Sequence, residues 1–299
     1  MVADVATKQA HEVWHNQPNE RLFTKINNMR WAGDNIVFPF APPNDEFDRY
    51  YSISLASPQQ APIQLTTTDW LIEDNTSVAF SSDGKTLYYC TNAKDIERRH
   101  IWAVSTSGGA PAQVSTGDGI ETYPAPLASG KKVAVLYFNA RQPASVALVP
   151  AEGGEPKIIS PALPKDFPAA AHVVPQIVLT KAADGLEIHN QLFLPADLKP
   201  GEKRPAIIFV HGGPQREMLP GYHYMQFYRA TCSWLRSAIS IRRLYARASS
   251  RGERSSRWTF SMRAISSFSS AVNVRSTTGI FSRPAIRAAR TRRSPATMM

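Results

Sequence analysis

Cysteine is nearly absent: Cys90 and Cys232 are the only two in 299 residues. Two distant cysteines without clustered histidines exclude a disulfide framework and a Cys/His zinc site as the organising device. Cys90 closes the apolar run Leu87-Tyr88-Tyr89 and reads as a small core residue. Long apolar runs are missing too. No stretch of about 18 apolar residues is present to span a membrane, and the strongest runs, 133–138 and 206–210, have the length of buried strands. In residues 1–20, Met1 is followed by Val-Ala-Asp-Val and then polar residues, so no secretory leader is expected of them. Lysine is absent from the last 71 residues, and this absence divides the chain.

Residues 1–228 hold 19 Lys and Arg against 23 Asp and Glu, whereas residues 229–299 hold 15 Arg, 15 Ser and one acid, Glu253. The net charge of +10 is therefore −4 before the seam and +14 after it. The tail shows no sustained helical or strand period. It can be read as an Arg-rich arm for nucleic acid, as a solvated disordered tail, or as an out-of-frame extension. The abrupt change of composition favours the third reading. Nucleic-acid arms commonly mix Lys with Arg, so no nucleic-acid partner is expected.

What is present in the first half is a repeat. VAFSSDGKTLYY at 78–89 matches PAPLASGKKVAV at 124–135, an offset of 46, and IWAVSTSGGAPAQVS at 101–115 matches VALVPAEGGEPKIIS at 146–160, an offset of 45. A looser copy runs through 29–40 and 50–66, and 2–14 resembles the closing half of another. Within one unit an apolar strand meets Ser-Asp-Gly-Lys, which supplies the positive φ of a tight hairpin. A second strand, a polar loop at 92–100, a third strand at 101–104, a Gly108-Gly109 turn and a fourth strand ending at Val114 follow. Four short antiparallel strands per 45 or 46 residues describe a β-propeller blade. A β-sandwich would not explain the equal offsets. Residues 1–168 are thus a partial propeller of about three and a half blades, and an open arc with bare blade faces implies truncation at the amino end.

From Gln176 the pattern changes. A hairpin is predicted over 177–181 and 186–194 around an Asp184-Gly185 turn, then a polar loop, then PAIIFVHGGP at 205–214 as a fully buried strand. In that order, SxDGK-type blades, ADGLxIxxxLxLP and PxIxFVHGGP resemble the prolyl oligopeptidase family of serine peptidases, in particular its acylaminoacyl-peptidase and dipeptidyl-peptidase-like branches. The resemblance covers residues 1–228. It implies a propeller that filters peptide substrates, joined to an α/β-hydrolase that cuts them with a Ser-Asp-His triad and needs no metal or cofactor. It also implies an oxyanion hole near Gly212, with His211 and Gly213 shaping the loop; glycines let backbone N–H groups approach a developing oxyanion. Residues 169–228 are then the N-terminal strands of that hydrolase domain, and 229–299 a non-native or disordered basic tail.

The triad itself is not encoded. The nucleophile of this fold sits in G-x-S-x-G and is followed by Asp or Glu and then His, and no G-x-S-x-G occurs. Beyond Gly213 there is no Asp, the only acids are Glu217 and Glu253, and no His follows His223. A tail serine would have no downstream base to take its proton. The chain reads as an inactive peptidase fragment, with a non-enzymatic propeller module carrying a basic tail as the alternative.

Other constellations read as bland. His11-Glu12-Val13-Trp14-His15 spells H-E-x-x-H, which needs a helix to present two zinc ligands, but it falls at a strand end with Pro18 close behind. His172, His189 and His223 lack cysteines, and only Glu187 is near one of them, so no metal is expected. His100 and Asp95 read as solvated loop residues and Asp83 as a turn residue. Asp45, Glu46 and Asp48, near Phe47, Tyr50 and Tyr51, read as a solvated loop that could contact substrate.

Overall fold

In the computed structural model the described residues are 1–15, 29–41, 45, 47–57, 60–66, 71–72, 78–208 and 217–222. The basic tail lies outside them. The marked turns become hairpins, and hairpins chain into meanders. A two-stranded ribbon, β1 (Val2–Ala3) with β2 (Ala10–His11), comes first. The first four-stranded sheet runs β3 (Arg30–Ala32), β4 (Asn35–Phe40), β5 (Arg49–Ser54) and β6 (Ile63–Gln64). The second holds β7 (Val78–Phe80), β8 (Thr86–Thr91), β9 (His100–Ser105) and β10 (Ala112–Gln113). The third holds β11 (Ile120–Pro126), β12 (Lys132–Phe138), β13 (Ser145–Pro150) and β14 (Lys157–Ser160). In all three, strands consecutive in sequence are neighbours in the sheet. Among the described residues there is no α-helix, and the separate sheets form a propeller-like array rather than a closed ring.

The repeat survives down to the register. Ala79 faces Tyr88 and Phe80 faces Leu87 in the second sheet. In the third, Ala125 faces Ala134 and Pro126 faces Val133, each displaced by the offset of 46 seen in the sequence. Trp102 faces Gln113 and Ala147 faces Ile158, displaced by 45. The looser copy shares a finer device. The Tyr50 amide donates to Thr66 Oγ1 at 3.1 Å, as the Ile101 amide donates to Ser115 Oγ at 2.7 Å. The Gln64 amide group donates to the Thr66 carbonyl at 2.7 Å, as that of Gln113 does to the Ser115 carbonyl at 3.0 Å. QLT and QVS therefore close the first and second sheets by the same hydrogen bonds.

The central strand β8 buries both faces. Leu87 and Tyr89 pack with Val37, Tyr50 and Leu65 of the first sheet, while Tyr88 and Cys90 pack with Val133 and Val135 of the third. Strand alternation sends successive side chains to opposite faces, so β8 serves two cores at once. Cys90 is buried as the sequence implied, its thiol directed at the Glu121 carbonyl 3.2 Å away. Burying a Leu, Ile or Val side chain fully is worth about 1.5–3 kcal/mol.

Two compact units are present. One holds the described residues of 1–175 and 217–222, the other those of 176–208. In the second unit β15 (Gln176–Lys181) and β16 (Glu187–Leu192) form the hairpin expected from the sequence, with Gly185 at φ +89° and the Leu186 amide donating to Asp184 Oδ1 at 3.1 Å. The buried strand expected from Pro205 is not formed over 205–208: Ile207 and Ile208 are 58% and 51% exposed and belong to no strand. A buried strand exists only between neighbours that pair with it and cover it, and no described residue pairs with this segment.

Candidate functional site

The sequence-derived oxyanion residues His211, Gly212 and Gly213 lie outside the described residues, as do Glu46 and His223. The H-E-x-x-H motif is extended rather than helical: His11 ends β2, and exposed His15 and Glu12 pair with each other at 2.7 Å. Val13 is buried, and Trp14 stacks on Phe38 at 5.2 Å. His189 faces Glu187 at 3.6 Å on the half-exposed hairpin. Among the described residues no group of three or more His, Cys, Asp or Glu side chains is placed to hold a metal.

Two of the groups read as solvated are instead built into the structure. Asp45 accepts two hydrogen bonds from the fully buried Arg49 guanidinium, at 2.6 and 3.0 Å, which also lies over the Phe47 ring. Burial pushes the Asp45 carboxyl up, but the Arg49 hydrogen bonds, the Phe47 amide and the Arg49 charge outweigh it and hold the group below its ordinary value. A buried cation needs a partner carboxylate, so this loop is fixed by the side chain it neutralises.

The larger departure is His100. It is the first residue of β9, not a loop residue, and only 3% exposed. It sits in a polar seam between the second and third sheets, built from Asp95, Arg99, His100, Ser115 and Glu121. His100 Nδ1 lies 2.8 Å from Glu121 Oε2, and its Nε2 lies 3.8 Å from Asp95 Oδ2. Ser115 donates to the same Glu121 Oε2 at 2.8 Å, while its oxygen accepts the Ile101 amide. The Glu121 amide donates to the Arg99 carbonyl at 2.8 Å. Arg99 in turn reaches the Ile96 and Arg98 carbonyls and Glu217 Oε2, the last at 2.9 Å.

A serine, a histidine and a carboxylate thus meet, but not in a catalytic order. A serine nucleophile needs its proton directed at the imidazole, and here Ser115 directs it at Glu121. Ser115 and Glu121 are fully buried, which closes the cluster to any substrate. Its chemistry is that of a fastening: one carboxylate oxygen takes hydrogen bonds from His100 of β9 and from Ser115, just past β10, while its backbone belongs to the third sheet. Asp83 has the turn role expected of it, accepting from the Ser81 hydroxyl at 2.6 Å and the Lys85 amide at 3.1 Å, and these bonds hold its carboxyl below its ordinary value.

Sequence reasoning passed over Glu121, Ser115, Arg99, Arg49 and Glu217. A signal existed for the first two: a charged residue inside IETYP at the head of a strand, and a hydroxyl recurring after Gln-apolar in QLT and QVS. Arg49 and Glu217 carry no such local mark.

Residues 1–144 match the family model of the dipeptidyl peptidase IV (DPP IV) N-terminal region. The match supports the prolyl oligopeptidase and dipeptidyl peptidase family. Dipeptidyl peptidase 8 of Mus musculus and that of Homo sapiens are each 33% identical to this chain over 52 residues, which make up 17% of this chain and 6% of the relative. The matched stretch is therefore a small part of those relatives' length. The dipeptidyl peptidase IV-like stretch takes in β1 through β12 and stops one residue short of β13, so it includes the whole seam.

Proposed function

We propose that this chain is the propeller-like, peptide-admitting part of a prolyl-oligopeptidase-type serine peptidase, followed by the opening of its α/β-hydrolase domain, and that it has no peptidase activity as it stands. The observation that carries the reading is an order: a dipeptidyl peptidase IV-like N-terminal region, then the hairpin at 176–192, then His211-Gly212-Gly213, with no G-x-S-x-G anywhere. In such an enzyme the substrates are peptides or acylated amino termini, in keeping with the acylaminoacyl-peptidase and dipeptidyl-peptidase-like branches, and the reaction uses neither metal nor cofactor. Gly212 supplies an oxyanion-hole amide only where a nucleophile is present to form the oxyanion, and a hydroxyl is not activated in this fold without an imidazole and a carboxylate after it.

The test is turnover of chromogenic peptidyl and acyl-amino substrates together with labelling by a fluorophosphonate probe. No hydrolysis above background and no adduct are expected; hydrolysis sensitive to serine inhibitors would refute inactivity. A second reading, a non-enzymatic propeller module with a basic tail, draws on the missing triad and the +14 charge of residues 229–299. Reading the other two frames of the gene beyond codon 228 separates the two: G-x-S-x-G followed by Asp and His supports the peptidase, and their absence supports the module.

A further inference from the structure

We infer that residues 217–222 are an internal peptide ligand of the third sheet, held in a groove that recognises a carboxylate, a leucine and a tyrosine in that order. The segment, Glu-Met-Leu-Pro-Gly-Tyr, belongs to no strand or helix, yet it is held within the first unit by groups from four separate places, three of them side-chain contacts and one a backbone carbonyl. Ahead of β9, the Arg99 guanidinium, 3% exposed, meets Glu217 Oε2 at 2.9 Å. From β11 and β12, Ile120 and Phe138, both fully buried, form one cluster with Leu219, itself 4% exposed. Just past β12, the Asn139 carbonyl accepts the Tyr222 amide at 3.1 Å. Beyond β14, His172 Nδ1 lies 2.8 Å from the Tyr222 hydroxyl, and the Tyr222 ring packs beside His172 and Phe167.

The fit is close at Gly221. A Cβ there would stand 3.1 Å from both Ile120 Cδ1 and Phe138 Cδ2 and 3.3 Å from the Asn139 carbonyl carbon, so a small residue lets the backbone lie this near the sheet and a bulky one would press on both apolar side chains. The site is also distinct from the packing between sheets. Val133 and Val135 of β12 turn to the second sheet, whereas Phe138 leaves the opposite face of the strand. A linear segment read by alternating charged, apolar and aromatic anchors is peptide recognition, with this chain's own residues as the occupant. The inference goes beyond the peptidase reading and does not rest on it, since no catalytic group takes part.

Two measurements test it on the full-length chain. In the unaltered protein the Tyr222 amide is expected to exchange with deuterium at least about tenfold more slowly than an open loop amide. For the second, Gly221→Val evicts the segment by bulk, and the double variant Glu217→Ala/Leu219→Ala evicts it by loss of anchors. A fluorescent peptide of residues 215–224 should then bind both evicted chains, and adding Arg99→Ala to either should weaken it at least about tenfold. It should not bind the unaltered chain, where the resident segment competes at an effective concentration on the order of millimolar. A rapidly exchanging Tyr222 amide in the unaltered protein would overturn the inference. So would failure of the peptide to bind evicted chains whose β8 and β9 amides remain protected, or equal binding of a peptide lacking the glutamate and leucine. Peptidase assays do not enter, so the family reading can fail or stand separately.

Discussion

The second sheet and the hairpin at 176–192 start from the same local chemistry and end in different physical states. Both are antiparallel, and both turn at Asp-Gly with the glycine at positive φ, +70° at Gly84 and +89° at Gly185. Both place the aspartate where it accepts the amide two residues on. Yet five of the six residues of β8 are buried, while none in β15 or β16 is. Turn chemistry sets pairing and register within a few residues. Burial requires a second surface, and the second sheet has one on each side.

Removing apolar bulk should break the comparison most. Leu87→Ala, at a fully buried site shared by two sheets, is expected to cost about 2–5 kcal/mol in urea unfolding followed at Trp102. Leu179→Ala in the hairpin, 51% exposed, should stay within about 0.5 kcal/mol. Equal losses would mean that the hairpin is packed in solution.

The two turn glycines give the next effect. A Cβ at Gly84 would lie 2.3 Å from the Gly33 nitrogen and 2.7 Å from the Ala32 carbonyl carbon, backbone atoms of the first sheet. At Gly185 it would meet nothing within 4 Å. Gly185→Ala should therefore cost only the left-handed backbone strain, about 1 kcal/mol, and Gly84→Ala should exceed it by at least about 1 kcal/mol. Thermal unfolding of the two variants would show whether turn strain or contact between sheets dominates.

Glu121→Leu keeps the bulk of the seam but removes the oxygen shared by His100 and Ser115. It is expected to cost about 1–3 kcal/mol in chemical unfolding, against no more than about 0.5 kcal/mol for Glu187→Gln beside half-exposed His189. A neutral result at Glu121 would remove the seam from the list of fastenings.

The smallest effect concerns pH. The Ser81 hydroxyl and then the Lys85 amide lower the Asp83 carboxyl in the folded chain. Its contribution is therefore present above the unfolded carboxylate range and lost as pH falls through the lowered folded value. Asp83→Asn should lower stability slightly near neutrality, where the carboxylate's contribution is present, and make the decline below about pH 4 shallower. The equivalent turn of the third sheet has Ser129, whose hydroxyl faces the Lys131 amide at 3.4 Å and does not titrate in this range, so Ser129→Ala should leave that decline as it is.

Much of the strand plan was legible because its causes are local. The offsets of 46 and 45 reappear as register, the Ser-Asp-Gly-Lys turn as a hairpin, and the run ending at Cys90 as core. The candidate site was far less legible. His100 looked like a loop residue because the strand it opens is defined by pairing with β8, and its partner Glu121 is 21 residues away. Arg99 and Glu217 are 118 residues apart, and no spacing rule connects them. Residues 205–208, by contrast, looked like the start of a buried strand because apolar runs record a preference for burial, not which neighbour provides it.

By itself, then, the sequence determined the sheets' periods, their turns and the absence of a G-x-S-x-G motif, because each depends on residues within a few positions. Only the tertiary structure decided which polar groups are buried, that Glu121 fastens one sheet to the next, and that residues 217–222 lie against Ile120 and Phe138. Those outcomes turn on which surfaces meet, and in a chain of stacked meanders that is set by contacts between segments far apart in sequence.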